Sequence, residues 1–229
     1  MEDKRKDAGF LDMDGTIIET KSGHTFPIDE DDWEFKSGIL DKLRFLNENF
    51  DFVFIVSNQG GIEAGHYKHE DVRIKFDFIK KCLKESSIII DDMHFSPYNS
   101  YHYNRKPNPE FAYRMAIKYQ LDLSKCVMIG DASGIEISDL VGTLTDKDGL
   151  RFVTDNLKLG VTGSCVPEEY MDKIEENEIG IKYINYRKDF SNSDLMFAIN
   201  SGMRYMDIEE FLTKNFESKV HFMFYSQTK

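Results

Sequence analysis

Two aspartates one residue apart, Asp12 and Asp14, close a short apolar run in "FLDMDGTIIETKSGHTFP" (residues 10–27) and are followed at once by Gly15 and Thr16. Residues i and i+2 of a strand project from the same face, so both carboxylates can share one site while Met13 turns into packing. Adjacent carboxylates repel and shift one another's protonation, a cost that a divalent cation resting against them removes. The pattern predicts magnesium-assisted phosphoryl transfer. One carboxylate attacks phosphorus and forms an acyl-phosphate, and the other protonates the leaving oxygen and later activates water. A solvated Asp-x-Asp turn is the plainer alternative; the apolar strand before the pair and the Gly-Thr after it argue against that.

These residues need a scaffold, and the rest of the chain supplies one. "AGFLD" reads as a strand, "SGILDKLRFLNEN" as a helix with Ile39, Leu43 and Leu46 on one stripe, and "FDFVFIVSN" as a strand buried on both faces. The helix pattern returns in "HEDVRIKFDFIKKCLKE" through Val72, Phe76, Ile79 and Leu83; "MHFS", "NPEFAYRMAIKYQ" and "KCVMIGD" then read as strand, helix and strand. This order predicts an α/β fold, a Rossmann-like parallel sheet flanked by helices. Asp12 and Asp14 end the first strand, Ser57 the second and Asp131 the fourth, while Arg105 and Lys106 precede the helix after the third. Ligands bind at that carboxyl edge in open α/β sheets, so chemically coherent groups distant in sequence converge there.

"DMDGT", "SNQGG", "RKPNP" and "MIGDASG", in this order, resemble the four motifs of the haloacid dehalogenase superfamily of aspartyl phosphatases. They span roughly residues 8–134, with the tail resuming near Lys188. Within that superfamily, "TKSGHTFPIDEDDW", "SNQGGI", "RKP", "GDASG" and "KDFSNSDLMFAINSG" are most similar to the polynucleotide kinase 3′-phosphatase family. The resemblance implies Asp12 as nucleophile, Asp14 as general acid/base and Lys106 as the cation offsetting charge on the phosphorylated aspartate. It places Ser57, Asn58, Thr16 and Arg105 around the phosphate, and Asp12, Asp14, Asp131 and Asp194 around magnesium. A phosphoryl group in transfer spreads charge over its oxygens, so a metal, an ammonium and a hydroxyl aimed there stabilise the transition state.

The fourth motif departs from the family pattern, because the second acidic residue is not obvious. Asp139 is close in sequence, but the following "VGTLTDKDGLRFVTD" alternates around Lys-Asp-Gly like a β-hairpin. Asp194 in "SNSDLMFAINSG" opens a helical pattern that ends in glycine, and it is preferred; Asp189 in the same stretch is a candidate for supporting contacts. Residues 135–187 then form an insertion in a single phosphatase domain spanning 1–229, reading as a hairpin, a helix "PEEYMDKIEENE" and a strand "IKYIN". The stretches 16–56 and 58–105 are too short for a large cap domain, which predicts an open site. Phe26, Trp33, Tyr67, Tyr101 and Tyr103 are candidates to stack on a base or sugar. The closing "KVHFMFYS" reads as an edge strand or a surface cover.

Composition narrows the partners. Lys and Arg number 29 against 41 Asp and Glu, a net charge of −12, which attracts neither nucleic acid from a distance nor an anionic membrane. Any polyanion must be held by a local patch. Cys82, Cys126 and Cys165 form no C-x-x-C pair, the charged "MEDKRKD" start is no signal sequence, and no long apolar run reads as a membrane span, so an intracellular protein is expected. "GGIEAGHY" lacks the Gly-Lys-Ser/Thr ending of a P-loop, so a kinase half is not expected. Three functions follow in order: removal of 3′-phosphates from DNA or RNA ends, as in repair; hydrolysis of a small metabolite of the histidinol-phosphate or sugar-phosphate type; and phosphate binding without catalysis. "SNQGGIEAGHY" favours the second in style, whereas the absence of a Cys/His zinc loop before "RKP" counts against it. A basic groove beside the site would favour the first.

Overall fold

The computed structural model describes residues 5–24, 31–99, 102–132 and 191–226, and four short strands between 140 and 184. In chain order the elements begin with β1 (Ala8–Leu11), β2 (Ile18–Glu19), β3 (Glu34–Phe35), α1 (Ile39–Asn49), β4 (Phe52–Asn58), α2 (His69–Glu85), β5 (Asp92–Ser96), α3 (Glu110–Tyr119) and β6 (Val127–Gly130). They continue with β7 (Leu140–Leu144), β8 (Leu150–Thr154), β9 (Ile174–Glu176), β10 (Lys182–Ile184), α4 (Ser193–Ser201), β11 (Arg204–Asp207), α5 (Ile208–Thr213) and α6 (Lys219–Tyr225). The chain divides into two compact units, 1–133 with 193–228, and 134–192.

The first unit is built on a five-stranded sheet of order β11-β6-β1-β4-β5 in which every pair is parallel. From β1 the chain lays β4 and β5 on one side, then returns to lay β6 and β11 on the other. The order therefore reverses between β1 and β6, and the crevice at such a switch point is where open α/β sheets bind ligands. Register puts Leu11 opposite Ile129, so the residues that follow, Asp12 and Gly130, emerge side by side.

Alternation along the central strands explains their continuous apolar runs. Leu11, Val53, Ile55, Val127 and Ile129 pack into one core with Ile39, Leu43 and Leu46 of α1, Val72, Phe76, Ile79 and Leu83 of α2, Phe211 of α5 and Phe222 of α6. Phe10, Phe54, Val56 and Met128 point the other way, into a second core with Phe111, Ala112 and Met115 of α3 and Phe197 and Ala198 of α4. A strand covered on both faces has no polar side to show. Met13, just past β1, is fully buried in the first core.

The second unit carries a four-stranded sheet of order β8-β7-β10-β9 with antiparallel pairs. The expected hairpin corresponds to β7 and β8, and "IKYIN" to β10. The helix expected over 167–178 is corrected in part, since Ile174–Glu176 is strand; the remainder lies outside the described residues. Of the two readings of the "KVHFMFYS" tail the edge strand is corrected: it forms α6, a helix that covers the first core with Phe222. Ser218 Oγ accepts from the His221 N–H at its start, and the Phe222 ring lies 5.7 Å from Phe50 and Phe211. A short apolar run serves either helix or strand, and tertiary packing decides between them. Among the described residues no helix is long and apolar enough to cross a membrane.

Phe10, in the central strand, lies 5.0 Å from Phe54, 6.1 Å from Phe111 and 6.4 Å from Phe197, ring centre to ring centre. Phe10→Ala is expected to lower the unfolding free energy by about 3–5 kcal/mol, because the rigid sheet cannot collapse into the cavity. Urea titration at unchanged m-value measures it; a loss under about 1 kcal/mol would mean that this aromatic core relaxes freely.

Candidate active site

Asp12 leaves β1 with its backbone N–H still bonded to the Ile129 carbonyl at 3.0 Å, which fixes it level with the end of β6. Its side chain is buried, as is that of Lys106, and Lys106 Nζ lies 2.5 Å from Asp12 Oδ1 and 2.6 Å from Asp194 Oδ1. One ammonium thus serves two buried carboxylates. Burial alone would push the Lys106 ammonium toward neutrality, but Asp12 and Asp194 outweigh it and the group rises to about 12. Burial pushes the Asp12 carboxyl well above the usual range; Lys106 opposes this, while Asp194, Asp131 and Asp14 add to it.

Lys106 reaches the site from the loop before α3, and Asn58 at the end of β4 holds that loop. Asn58 Nδ2 donates to the Lys106 carbonyl and Asn58 Oδ1 accepts from the Lys106 N–H, both at 3.0 Å. Both ends of the Asn58 amide bond the backbone of Lys106, so Asn58 places the lysine, and one N–H of its Nδ2 is left for the phosphate contact expected of it. Arg105, beside it in the same loop, donates from its guanidinium to the Tyr98 carbonyl at 2.6 Å.

Asp131 and Asp194 complete an acidic cluster with Asp12, offering one carboxylate oxygen each within 4.8 Å of one another. Asp194 arrives on the first turn of α4, which docks on the chain just after β6. The Asp194 N–H donates to the Ala132 carbonyl, and the Ala132 N–H donates to Asp194 Oδ2, both at 3.1 Å. Two glycines make room. A Cβ on Gly15, whose φ is +81°, would stand 2.0 Å from Asp131 Oδ2, and one on Gly130 would stand 2.2 Å from Asp194 Oδ2. Tyr205 Oη, donating to the Gly130 carbonyl at 2.8 Å, pins the second of these positions.

Three clustered carboxylates against one ammonium leave an excess negative charge that matches a divalent cation, and hard oxygen donors suit magnesium. The residues fit the metal. The Asp14 side chain, expected among the ligands, is not one of the clustered three. It lies in a more exposed layer, where Lys75 Nζ sits 3.2 Å from Oδ1, Gln59 Nε2 donates to Oδ2, and the Ser57 hydroxyl is 3.5 Å from Oδ2. Gln59 Nε2 also donates to Ser57 Oγ at 2.8 Å, and Tyr67 Oη donates to Gln59 Oε1 at 3.3 Å.

Thr16 is fully buried beside this turn, and its hydroxyl has no hydrogen-bond partner among the described residues. Trp33 packs against Phe35 and Phe78 at the edge of the first core, while Tyr103 is exposed. Asp139, Asp189, Phe26 and Tyr101 lie outside the described residues. Sequence reasoning missed Gln59 and Lys75. Gln59 carries a signal, its position two residues after Ser57 on the same strand end; Lys75 carries none, being one of several lysines on α2.

Residues 8–212 match the sequence model of the family described as polynucleotide kinase 3 phosphatase. The chain is 31% identical over 153 residues to the D-glycero-alpha-D-manno-heptose-1,7-bisphosphate 7-phosphatase of Campylobacter jejuni, covering 66% of this chain and 84% of that one. It is 29% identical over 167 residues to the D-glycero-beta-D-manno-heptose-1,7-bisphosphate 7-phosphatase of Rhodopseudomonas palustris, covering 69% and 89%. Among solved structures, the D,D-heptose 1,7-bisphosphate phosphatase from B. bronchiseptica, complexed with magnesium and phosphate, is 22% identical with a TM-score of 0.48, over 56% of this chain and 71% of that one.

Gly130→Ala is expected to force Asp194 out of the cluster and weaken magnesium binding by roughly tenfold or more, the range seen when a metal site's supporting contacts are lost. Isothermal titration with magnesium alone measures this. Unchanged affinity would show that Asp194 is dispensable to the cation.

Proposed function

Because the chain belongs to the polynucleotide kinase 3 phosphatase family of haloacid dehalogenase-type phosphatases, we propose that it is a magnesium-dependent phosphomonoesterase acting on a small phosphorylated metabolite of the sugar-phosphate type. The observation that carries the chemistry is the buried Asp12–Lys106–Asp194 arrangement, with Asp131 beside it at the switch point of the sheet. The heptose bisphosphate phosphatases among its relatives support the substrate class. So does the acidity of the chain, together with the engagement of its nearby cations: Lys75 pairs with Asp14, and Arg105 is tied to backbone.

Asp12 attacks phosphorus, the ester P–O bond breaks, and the proton needed by the departing alkoxide comes from Asp14. Lys106, protonated throughout the physiological range, balances the charge on Asp12 before attack and on the phosphorylated aspartate after it. The Ser57 hydroxyl, whose oxygen accepts from Gln59 and whose hydrogen faces Asp14 Oδ2 at the long distance of 3.5 Å, would turn that hydrogen to a phosphoryl oxygen when substrate binds. Asp12, Asp131 and Asp194 would hold magnesium, which when bound supplies positive charge against the phosphoryl oxygens. Asp14 then takes a proton from the water that attacks the phosphorylated Asp12, phosphate leaves, and both carboxylates return to their starting state.

A second reading, removal of 3′-phosphates from polynucleotide ends, is favoured by the extent of the family match, residues 8–212. Phosphate release measured with magnesium separates the two, using sugar mono- and bisphosphates beside a 3′-phosphorylated oligonucleotide at matched concentration. Turnover of the sugar phosphates, lost to background in Asp12→Asn because an amide is no nucleophile, is the expected result. Preference for the oligonucleotide would move the function to nucleic-acid ends, and full activity in Asp12→Asn would discard the nucleophile assignment.

A further inference from the structure

Asp14 has two tasks in the proposed cycle, and its surroundings favour one of them. Both of its oxygens are gripped. Lys75 Nζ, on α2, lies 3.2 Å from Oδ1, and Gln59 Nε2 donates to Oδ2. An ammonium and an amide N–H₂ are donors only, so both contacts treat Asp14 as an acceptor, the form in which a carboxylate takes a proton from water. The grip is itself braced. Tyr67 Oη donates to Gln59 Oε1, which leaves the amide nitrogen facing Asp14, and the Tyr67 ring lies so close over Gly61 that a Cβ there would stand 2.4 Å from it. Lys75 is held by α2, where it borders the buried stripe of Val72, Phe76 and Ile79 that anchors the helix.

We propose that Lys75 is a positioning residue for the second half of the reaction: it holds the Asp14 carboxylate in the orientation that accepts a proton from the water attacking phosphorylated Asp12. This rests on the phosphatase chemistry proposed above. In that step the water oxygen bonds to phosphorus, the P–O bond to Asp12 breaks, one water proton passes to Asp14, and inorganic phosphate leaves. Lys75 touches neither phosphorus nor water. Its whole effect passes through Asp14.

The test uses p-nitrophenyl phosphate and magnesium, because nitrophenolate departs without a proton and so removes the acid task from the kinetics. Under those conditions kcat/KM reports the formation of phosphorylated Asp12, whereas kcat includes its hydrolysis. Lys75→Met is expected to lower kcat by about tenfold, a fraction of the 10²–10⁴ that a positioned base supplies, while kcat/KM stays within about twofold. A burst of nitrophenolate close to one per protein should precede the slow phase, and Lys75→Arg should restore most of kcat. An equal fall in kcat and kcat/KM, or no fall in either, would overturn the proposal. Absence of nitrophenolate and phosphate release in the wild-type protein would instead sink the phosphatase reading on which it stands.

Discussion

A buried ammonium shared by two buried carboxylates is costly to assemble, and much of the first unit can be understood as the means of assembling it. Lys106 reaches Asp12 and Asp194 within ion-pair distance where water is largely excluded. Removing charges from water costs several kcal/mol per ion, and their attraction repays that only when geometry is held closely. The three residues come from β1, from the loop before α3 and from the start of α4. Only the parallel sheet makes them neighbours: β1 and β6 lie side by side, α4 docks on the end of β6, and the loop carrying Lys106 is read by the amide of Asn58.

Close approach also explains which small residues stand where. Gly15 and Gly130 have different backbones, the first with positive φ, yet both lack a side chain for the same reason: a carboxylate occupies the space. The fold thus excludes Cβ atoms from the cluster and admits oxygen. The outcome is two layers of acid chemistry. Asp12, Asp131 and Asp194 form an inner layer suited to a cation, and Asp14 sits in an outer layer among Lys75, Gln59 and Ser57. Asp12 and Asp14 both follow the last residue of β1, and the turn in which Thr16, Ile17 and Ile18 donate to the Met13 carbonyl separates their surroundings.

How much of this was legible in the sequence follows from how local each signal is. The parallel sheet was legible because strands buried on both faces write continuous apolar runs, as in β4, and because the stripe Val72, Phe76, Ile79, Leu83 has helical period. Asp12, Asp131 and Lys106 could be placed at the sheet edge because each follows or precedes such an element. Hydrogen-bond partners were not legible. Nothing near Asn58 in sequence says that its amide will meet the backbone of Lys106, and nothing on α2 distinguishes Lys75 from the lysines around it. The tail misled for a different reason: "KVHFMFYS" has no period long enough to choose, and the pocket formed by Phe45, Phe50, Phe211 and Phe216 made it a helix.

The charge balance bears on substrate as well as on metal. A chain of net charge −12 must bind an anion, and long-range attraction cannot help it. In the proposed reaction recognition comes from neutralisation at one place, by Lys106 and the cation that Asp12, Asp131 and Asp194 would hold. A single phosphomonoester needs no more than that. A polynucleotide presents further phosphates along its backbone, and each needs a cation to replace the counterions it sheds. Around this site Lys75 is paired with Asp14, and the Arg105 guanidinium is anchored through one hydrogen bond to the backbone of Tyr98. The pairing of Lys75 with Asp14 therefore orders a carboxylate at the site without adding a cation there for a second phosphate.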